Sequence, residues 1–258
     1  MWNLPTPASL RAVLAILAVL CPGHLSPVRA ADESRAEIKL LVRSDAIAEA
    51  KAALALPAAA QKTYRIYFVD TPDLDFEKAG LILRLRDKQH GTTEVTLKIR
   101  PKAPAQFHAE RWEKLEKETE WVAGRGENMS YATKEERAGA DLLEDPAVHL
   151  AQFFSDEHKA LIREITGHEF EPAQMKIFGP IEAQIWEWNE AALQDEISAE
   201  LWKCGNLEIF ELSRKTGLKN LATKGDDFVR ILAAKGVAAD PAPESKTHLA
   251  LKYFSTHP

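Results

Sequence analysis

The chain has 258 residues, 45% of them hydrophobic, and a formal net charge of −6 at pH 7. A chain of that length can bury a sizeable core in one domain. Its acidic balance excludes a general nucleic-acid binder, so any basic site must be a local concentration.

Residues 1–30 have the layout of a secretory signal peptide: a short leader with Arg11, the apolar run AVLAILAVL, and Val28-Arg29-Ala30 ahead of Ala31. A membrane span needs about 20 apolar residues, and this run is too short. Cleavage after Ala30 predicts a periplasmic or secreted, soluble chain with a single domain over 31–258. Losing Arg11 and Arg29 takes its net charge from −6 to −8. Cys21 leaves with the leader, so Cys204 has no disulfide partner and reads as a small buried hydrophobe.

RAEIKLLV (35–42) starts as an alternating strand. Ser44 caps a helix over SDAIAEAKAALAL (44–56), which stops before Pro57. TYRIYFVD (63–70) is a second strand, closed by Asp70-Thr71-Pro72, where Asp70 reads as a turn cap and not as a catalytic group. LILRLRD and EVTLKIR flank a turn at Gly91. Successive strand side chains alternate, so Arg84, Arg86, Lys98 and Arg100 share one face of this hairpin, although like charges on neighbouring strands repel.

AERWEKLEKETEWV (109–122) is read as a strand because Trp and Thr close it, with Glu116, Glu118 and Glu120 on one face. Residues 124–172 are read as a helical insertion, with a GRGENMS loop and short helices in TKEERAGADLL, PAVHLAQFF and SDEHKALIREITG. Strand character returns at 173–188, in DEISAELW and at 205–213; Trp186 and Trp188 share a face and read as packing. A helix at 225–236 and SKTHLALKYF (245–254) finish the chain. The expected fold is α+β, an eight-stranded antiparallel β-barrel with flanking helices.

Several standard sites are missing. Neither G-x-S-x-G nor H-E-x-x-H occurs, glycine is too sparse for a phosphate-cradling loop, and the histidines lack ligand spacing. What remains is charge on strands. Lys39, Arg84, Arg86, Lys98, Arg100 and Lys176 are cations; Glu37, Glu116, Glu118, Glu120, Glu208 and Glu211 are carboxylates. A solvated face accounts for any one strand. Arginine dominates the set, however, and its planar fork suits phosphate oxygens. Turned into a barrel interior, such a cluster demands an anion, because unpaired buried charge is costly.

EIKLLV, YFVDTPDLDFEKAGLILRLRD, EVTLKIRPK and ESKTHLALKYF, in that order, resemble the CYTH domain, the triphosphate tunnel metalloenzyme superfamily. The resemblance implies a barrel whose tunnel binds a triphosphate, with basic side chains on the phosphates and Glu residues holding Mg²⁺ or Mn²⁺ to activate water. By position it makes Glu37 and Lys39, from the opening E-x-E-x-K signature, the catalytic pair. It puts Lys39, Arg84, Arg86, Lys98, Lys176 and Lys246 on the phosphates and Glu37 and Glu211 on the metal, with Glu116 and Glu118 where the fifth strand carries acids. Arg100, on the same hairpin face, joins the phosphate set, and Glu208 joins the metal set as a register-shift substitute. Two positions depart from the pattern. Arg35 stands for the first glutamate of the opening signature, and Ile209 for that of the last strand's E-x-E. Both thin the metal side, unless Glu208 or Glu200 compensates by a register shift.

The expectation is a divalent-metal-dependent phosphohydrolase acting on inorganic tripolyphosphate or a related triphosphate. Its partner is a small polyanionic substrate, with no nucleic acid, no membrane after signal cleavage, and no protein partner inferable. One alternative is a non-catalytic polyphosphate- or organophosphate-binding barrel, to which Arg35 and Ile209 point. The other is a scaffold whose charges are solvated faces.

Overall fold

The computed structural model describes residues 35–88, 91–101, 115–138 and 146–257. The signal-peptide reading of 1–30, and export with it, lies outside them. The strands are β1 (Arg35–Leu41), β2 (Lys62–Asp70), β3 (Leu81–Asp87), β4 (Thr92–Ile99), β5 (Glu116–Val122), β6 (Gly126–Ala138), β7 (Lys176–Glu190), β8 (Asp195–Cys204) and β9 (Leu207–Gly217). The helices are α1 (Ile47–Ala53), α2 (Asp75–Ala79), α3 (Pro146–Phe153), α4 (Asp156–Thr166), α5 (Leu221–Ala234) and α6 (Lys246–Thr256). The strands close a barrel in the order β1-β5-β6-β4-β3-β2-β7-β8-β9.

Two expectations are corrected here. The barrel has nine strands instead of eight, because GENMSYATKEERA (126–138) is β6 and not a loop with a helix. Its Ala, Lys and Glu are helix formers, but β6 bonds along its length to β4 on one side and β5 on the other. That double ladder overrides local propensity. The insertion therefore shrinks to α3 and α4, between β6 and β7. The second correction concerns direction: β1 and β5 run parallel, so the barrel is mixed. Of the strand expected at 109–122, Glu116–Val122 forms β5, and 109–114 lie outside the described residues.

Alternation sorts each strand into an outer apolar row and an inner row. Leu81, Leu83 and Leu85 of β3 and Val95, Leu97 and Ile99 of β4 pack outward against Phe153 of α3 and Leu161 and Ile162 of α4. Ile38 and Leu40 of β1 and Phe210 and Leu212 of β9 pack outward against Phe228 and Leu232 of α5. Inside, one end of the barrel has an apolar floor of Phe68, Ile82, Trp202 and Ile209, sealed by Ala250 and Leu251 of α6. Cys204 lies in this floor as a free thiol, and burial pushes it up to about 12. Trp186 is core, its Nε1 donating to the carbonyls of Pro57 at 3.0 Å and Ala59 at 3.2 Å. Among the described residues no helix is long and apolar enough to cross a membrane.

The α5 contact leaves no slack. A Cβ on Gly225 would come within 2.5 Å of the Trp121 ring on β5. Overpacking of this kind costs about 1–3 kcal/mol, so Gly225→Ala should lower the thermal midpoint. An unshifted melt would mean that α5 is not seated against β5 as described.

Candidate functional site

The inner rows that continue from the apolar floor line a cavity of about 650 Å³. Arg84 and Arg86 lie in it, each flanked by the strands on either side of β3. Arg84 is opposite Phe68 and Thr96, and Arg86 is opposite Ile66 and Glu94. The Arg84 Nη2 donates to Glu94 Oε1 at 3.3 Å and to Thr96 Oγ1 at 3.2 Å. An Arg86 nitrogen lies 3.5 Å from the same Glu94 oxygen, and its guanidinium sits 5.4 Å from the centre of the Tyr64 ring. Burial and the neighbouring Arg86 pull Arg84 down to about 10.

Glu94 was not singled out from sequence, and it corrects the idea that only a bound anion can quiet this pair. It does so incompletely. The Nε atoms of both arginines are buried without a hydrogen-bond partner, which is costly and rare in folded proteins.

Across the barrel, β1, β5, β4 and β6 carry a relay of lysines and glutamates. The parallel pairing sets Glu37 directly beside Glu120, and Lys39 bridges them at 3.0 and 2.8 Å. Lys98 bridges Glu118 at 2.8 Å and Glu120 at 2.7 Å. Lys134, on the strand that was misread, reaches Glu116 at 3.0 Å and Glu118 at 2.7 Å. Arg100 stands 3.8 Å from Glu120. Burial pushes Glu120 up, but Lys39, Lys98 and Arg100 together hold it far below the usual carboxylate range. The same opposition, with Lys98 and Lys134, leaves Glu118 at about 2. Lys39 is held well above its ordinary value by Glu37, Glu120 and Glu211, against the effect of burial.

On the remaining wall Glu200 and Glu211 are direct cross-strand neighbours. Lys246, the first residue of α6, contacts both, with Glu211 at 2.9 Å. The Trp202 Nε1 donates to the other Glu200 oxygen at 2.8 Å. Burial raises Glu200, and Lys246 and Arg86 more than reverse that, to about 2.

The cavity thus gathers Glu37, Lys39, Arg84, Arg86, Lys98, Arg100, Glu211 and Lys246, as expected from the sequence. Two expected residues are elsewhere. Lys176 starts β7 beneath α6, donating to the Phe254 carbonyl at 3.5 Å and lying 5.1 Å from the Phe178 ring. It pairs with Asp70 of β2, next to the apolar floor, and is not among the residues that line the cavity. Glu208 alternates away from Glu211 and pairs with Lys203 at 3.8 Å at the exposed side. Ile209 belongs to the apolar floor, so no register shift restores a carboxylate there. Glu200, raised only as a compensating residue, is luminal. Lys134 was hidden by the helical reading.

Asp70 is a cap. Its carboxylate accepts from the backbone N–H groups of Thr71 at 2.7 Å and Phe76 and Glu77 at 2.9 Å, while burial pushes it up to about 6. Asp70→Ala strands these donors at about 1–3 kcal/mol, visible as a lower melting midpoint. Full stability in that variant would show that the donors find water instead.

Magnesium and manganese take hard oxygen ligands, and the cavity offers such oxygens. Yet Glu37, Glu118, Glu120, Glu200 and Glu211 are each within 3.0 Å of a lysine ammonium. Among the described residues no group of three or more His, Cys, Asp or Glu converges as a metal site. The residues present do not fit a resident divalent ion.

Residues 34–161 match the family model of the CYTH domain. The fold is similar to that of a Bacillus halodurans protein put forward as an adenylate cyclase, with 17% identity and a TM-score of 0.56 over 84% of this chain and 98% of that one. It is also similar to a Hippeastrum protein put forward as an adenylyl cyclase and found to have a dominant triphosphatase activity. That match has 18% identity and a TM-score of 0.55 over 84% of this chain and 94% of the other. No curated protein matches the sequence.

Proposed function

We propose, from the premise that this chain carries a CYTH domain, that its barrel is a phosphohydrolase acting on inorganic tripolyphosphate or a related triphosphate. The observation that carries the reading is the luminal Arg84–Arg86 pair, whose two buried Nε donors have no partner. A phosphate oxygen is the acceptor such forks are shaped for. An ammonium has three donors. Lys39 and Lys98 spend two each on carboxylates, which leaves one apiece for the substrate.

Phosphoryl transfer asks the protein mainly for positioning and charge neutralisation. Arg84 and Arg86 hold the chain of phosphates. Lys39, beside Glu37, faces the phosphorus under attack. Water forms the new P–O bond as the bridging P–O bond breaks, its proton passes to the departing phosphate, and that phosphate carries its remaining charge into the field of the cations. Glu118, Glu120 and Glu200 titrate too low to be effective bases, so they orient lysines and water. Enzymes of the CYTH family generally depend on a divalent metal; here Mg²⁺ or Mn²⁺ belongs to the assay as a component that accompanies the substrate.

A second reading is a barrel that binds polyphosphate without cleaving it. Ile209 in the apolar floor and the lysine-neutralised carboxylates favour it. Phosphate release from tripolyphosphate, measured with Mg²⁺, with Mn²⁺ and with a chelator, separates the two. Turnover supports the enzyme. Heat of binding without turnover supports the binding barrel, and neither signal would overturn both.

A further inference from the structure

We propose that the Glu200–Glu211 pair keeps the Lys246 ammonium as its permanent cation, so that the cavity grips phosphate without a resident divalent metal. The proposal rests on the phosphate-binding reading above and reassigns Lys246, which the sequence pattern had placed on the substrate.

Two carboxylates directly opposed across β8 and β9 repel each other and require a cation between them. Lys246 supplies it in a position with little freedom. Its ammonium contacts Glu200 and Glu211, and the ring of Trp202 lies 4.4 Å away. Three donors thus meet two carboxylates and one aromatic face. The Trp202 indole ties down the other Glu200 oxygen, so the pair cannot swing freely to chelate an incoming ion.

The backbone that delivers Lys246 is fixed as well. Ser245 caps α6, its hydroxyl accepting from the His248 N–H at 3.1 Å. The His248 ring is held between Glu77 of α2 and Glu244, each at 3.1 Å. Ala250 and Leu251, one turn further on, are buried in the apolar floor. A tethered cation competes at a high effective concentration. Mg²⁺ sheds its water reluctantly and demands near-octahedral oxygens. To enter, it would also have to expel a lysine whose side chain is only 11% exposed, leaving that charge buried and unpaired. Ile209, where the family pattern has a further glutamate, removes the ligand that could tip this balance.

The test follows Mn²⁺ by its paramagnetic resonance in the absence of phosphate, for the full-length protein, Lys246→Met and Lys246→Arg. In parallel, calorimetry measures tripolyphosphate binding in chelator and in Mg²⁺. The wild type should take up no stoichiometric Mn²⁺, and its two tripolyphosphate affinities should agree within about threefold, well under the 1.4 kcal/mol that a tenfold change represents. Lys246→Met should gain Mn²⁺ uptake, Lys246→Arg should not, and Glu211→Gln added to Lys246→Met should abolish the gain. Stoichiometric Mn²⁺ uptake by the wild type would overturn the proposal, as would a Lys246→Met variant that melts cooperatively yet takes up none. Tripolyphosphate binding that appears only with Mg²⁺ would overturn it too. If tripolyphosphate binds under neither condition, the phosphate reading fails while the Mn²⁺ titration still decides the cation.

Discussion

Replacing Arg84 with methionine should weaken tripolyphosphate binding by about ten- to a hundredfold while leaving the melting temperature unchanged or slightly raised. Hydrogen bonds to charged groups are worth about 1.5–3 kcal/mol, and 1.4 kcal/mol is a factor of ten. The stability half of the expectation comes from the burial of Arg84. It is a buried cation beside Arg86 with an unpartnered Nε, and trading such a group for an apolar one of similar volume is often neutral or stabilising. Glu94 is not stranded by the change, because Arg86 and Lys88 remain at 3.5 and 2.9 Å. Arg84→Lys should recover only part of the affinity, since a point charge lacks the fork. Calorimetry with paired melts measures both halves. Undiminished binding would remove Arg84 from the site, and a collapsed melt would make it a structural residue.

The second large effect is on acid stability, and it centres on Glu120. Glu118 and Glu200 are held at about 2 in the fold, and Glu120 lower still; an unfolded glutamate titrates near 4.3. Their folded values are depressed, so the stability they contribute is present above about pH 4.3 and is lost as pH falls through the folded values. Unfolding free energy from denaturant melts should therefore drop steeply between about pH 5 and pH 2, by on the order of 3 kcal/mol for a group shifted this far. Glu120→Gln should cost about 3 kcal/mol at pH 7, the low end for breaking a buried pair, because Lys39 and Lys98 keep Glu37 and Glu118. The same variant should flatten the acid slope. A slope as steep as the wild type's would place the titrating carboxylates elsewhere.

The part of the fold legible in sequence was the part where charge and apolarity alternate cleanly. In β3 and β4 every second residue is Leu, Val or Ile, and the intervening Arg and Lys announce an inner face that is not solvent. β6 broke that rule. Its outer row includes Thr133, Glu135 and Arg137, and Ser155 and His158 of α4 cover it with polar contacts. Past Tyr131 no apolar residue marks that row, so Glu, Lys and Ala looked helical, and Lys134 went unseen. Glu94 was hidden for a different reason. It sits in plain view in EVTLKIR, but only the pairing of Arg86 with Glu94 places it against both arginines. Lys176 and Glu208 failed because a place in a sequence pattern fixes neither depth nor face: Lys176 falls at the floor end opposite Asp70, and Glu208 lies off the inner row that carries Glu211. The parallel contact of β1 with β5, which brings Glu37 to Glu120, has no local signature at all.

That the inner walls bring their own counter-ions has a consequence for the life of the molecule. A tunnel of bare cations would need its guest in order to assemble; this one can fold without it, because Lys39, Lys98, Lys134 and Lys246 already lean on carboxylates. A guest then gains only the difference between its oxygens and those it displaces. Such exchange favours rapid loading and unloading over long retention.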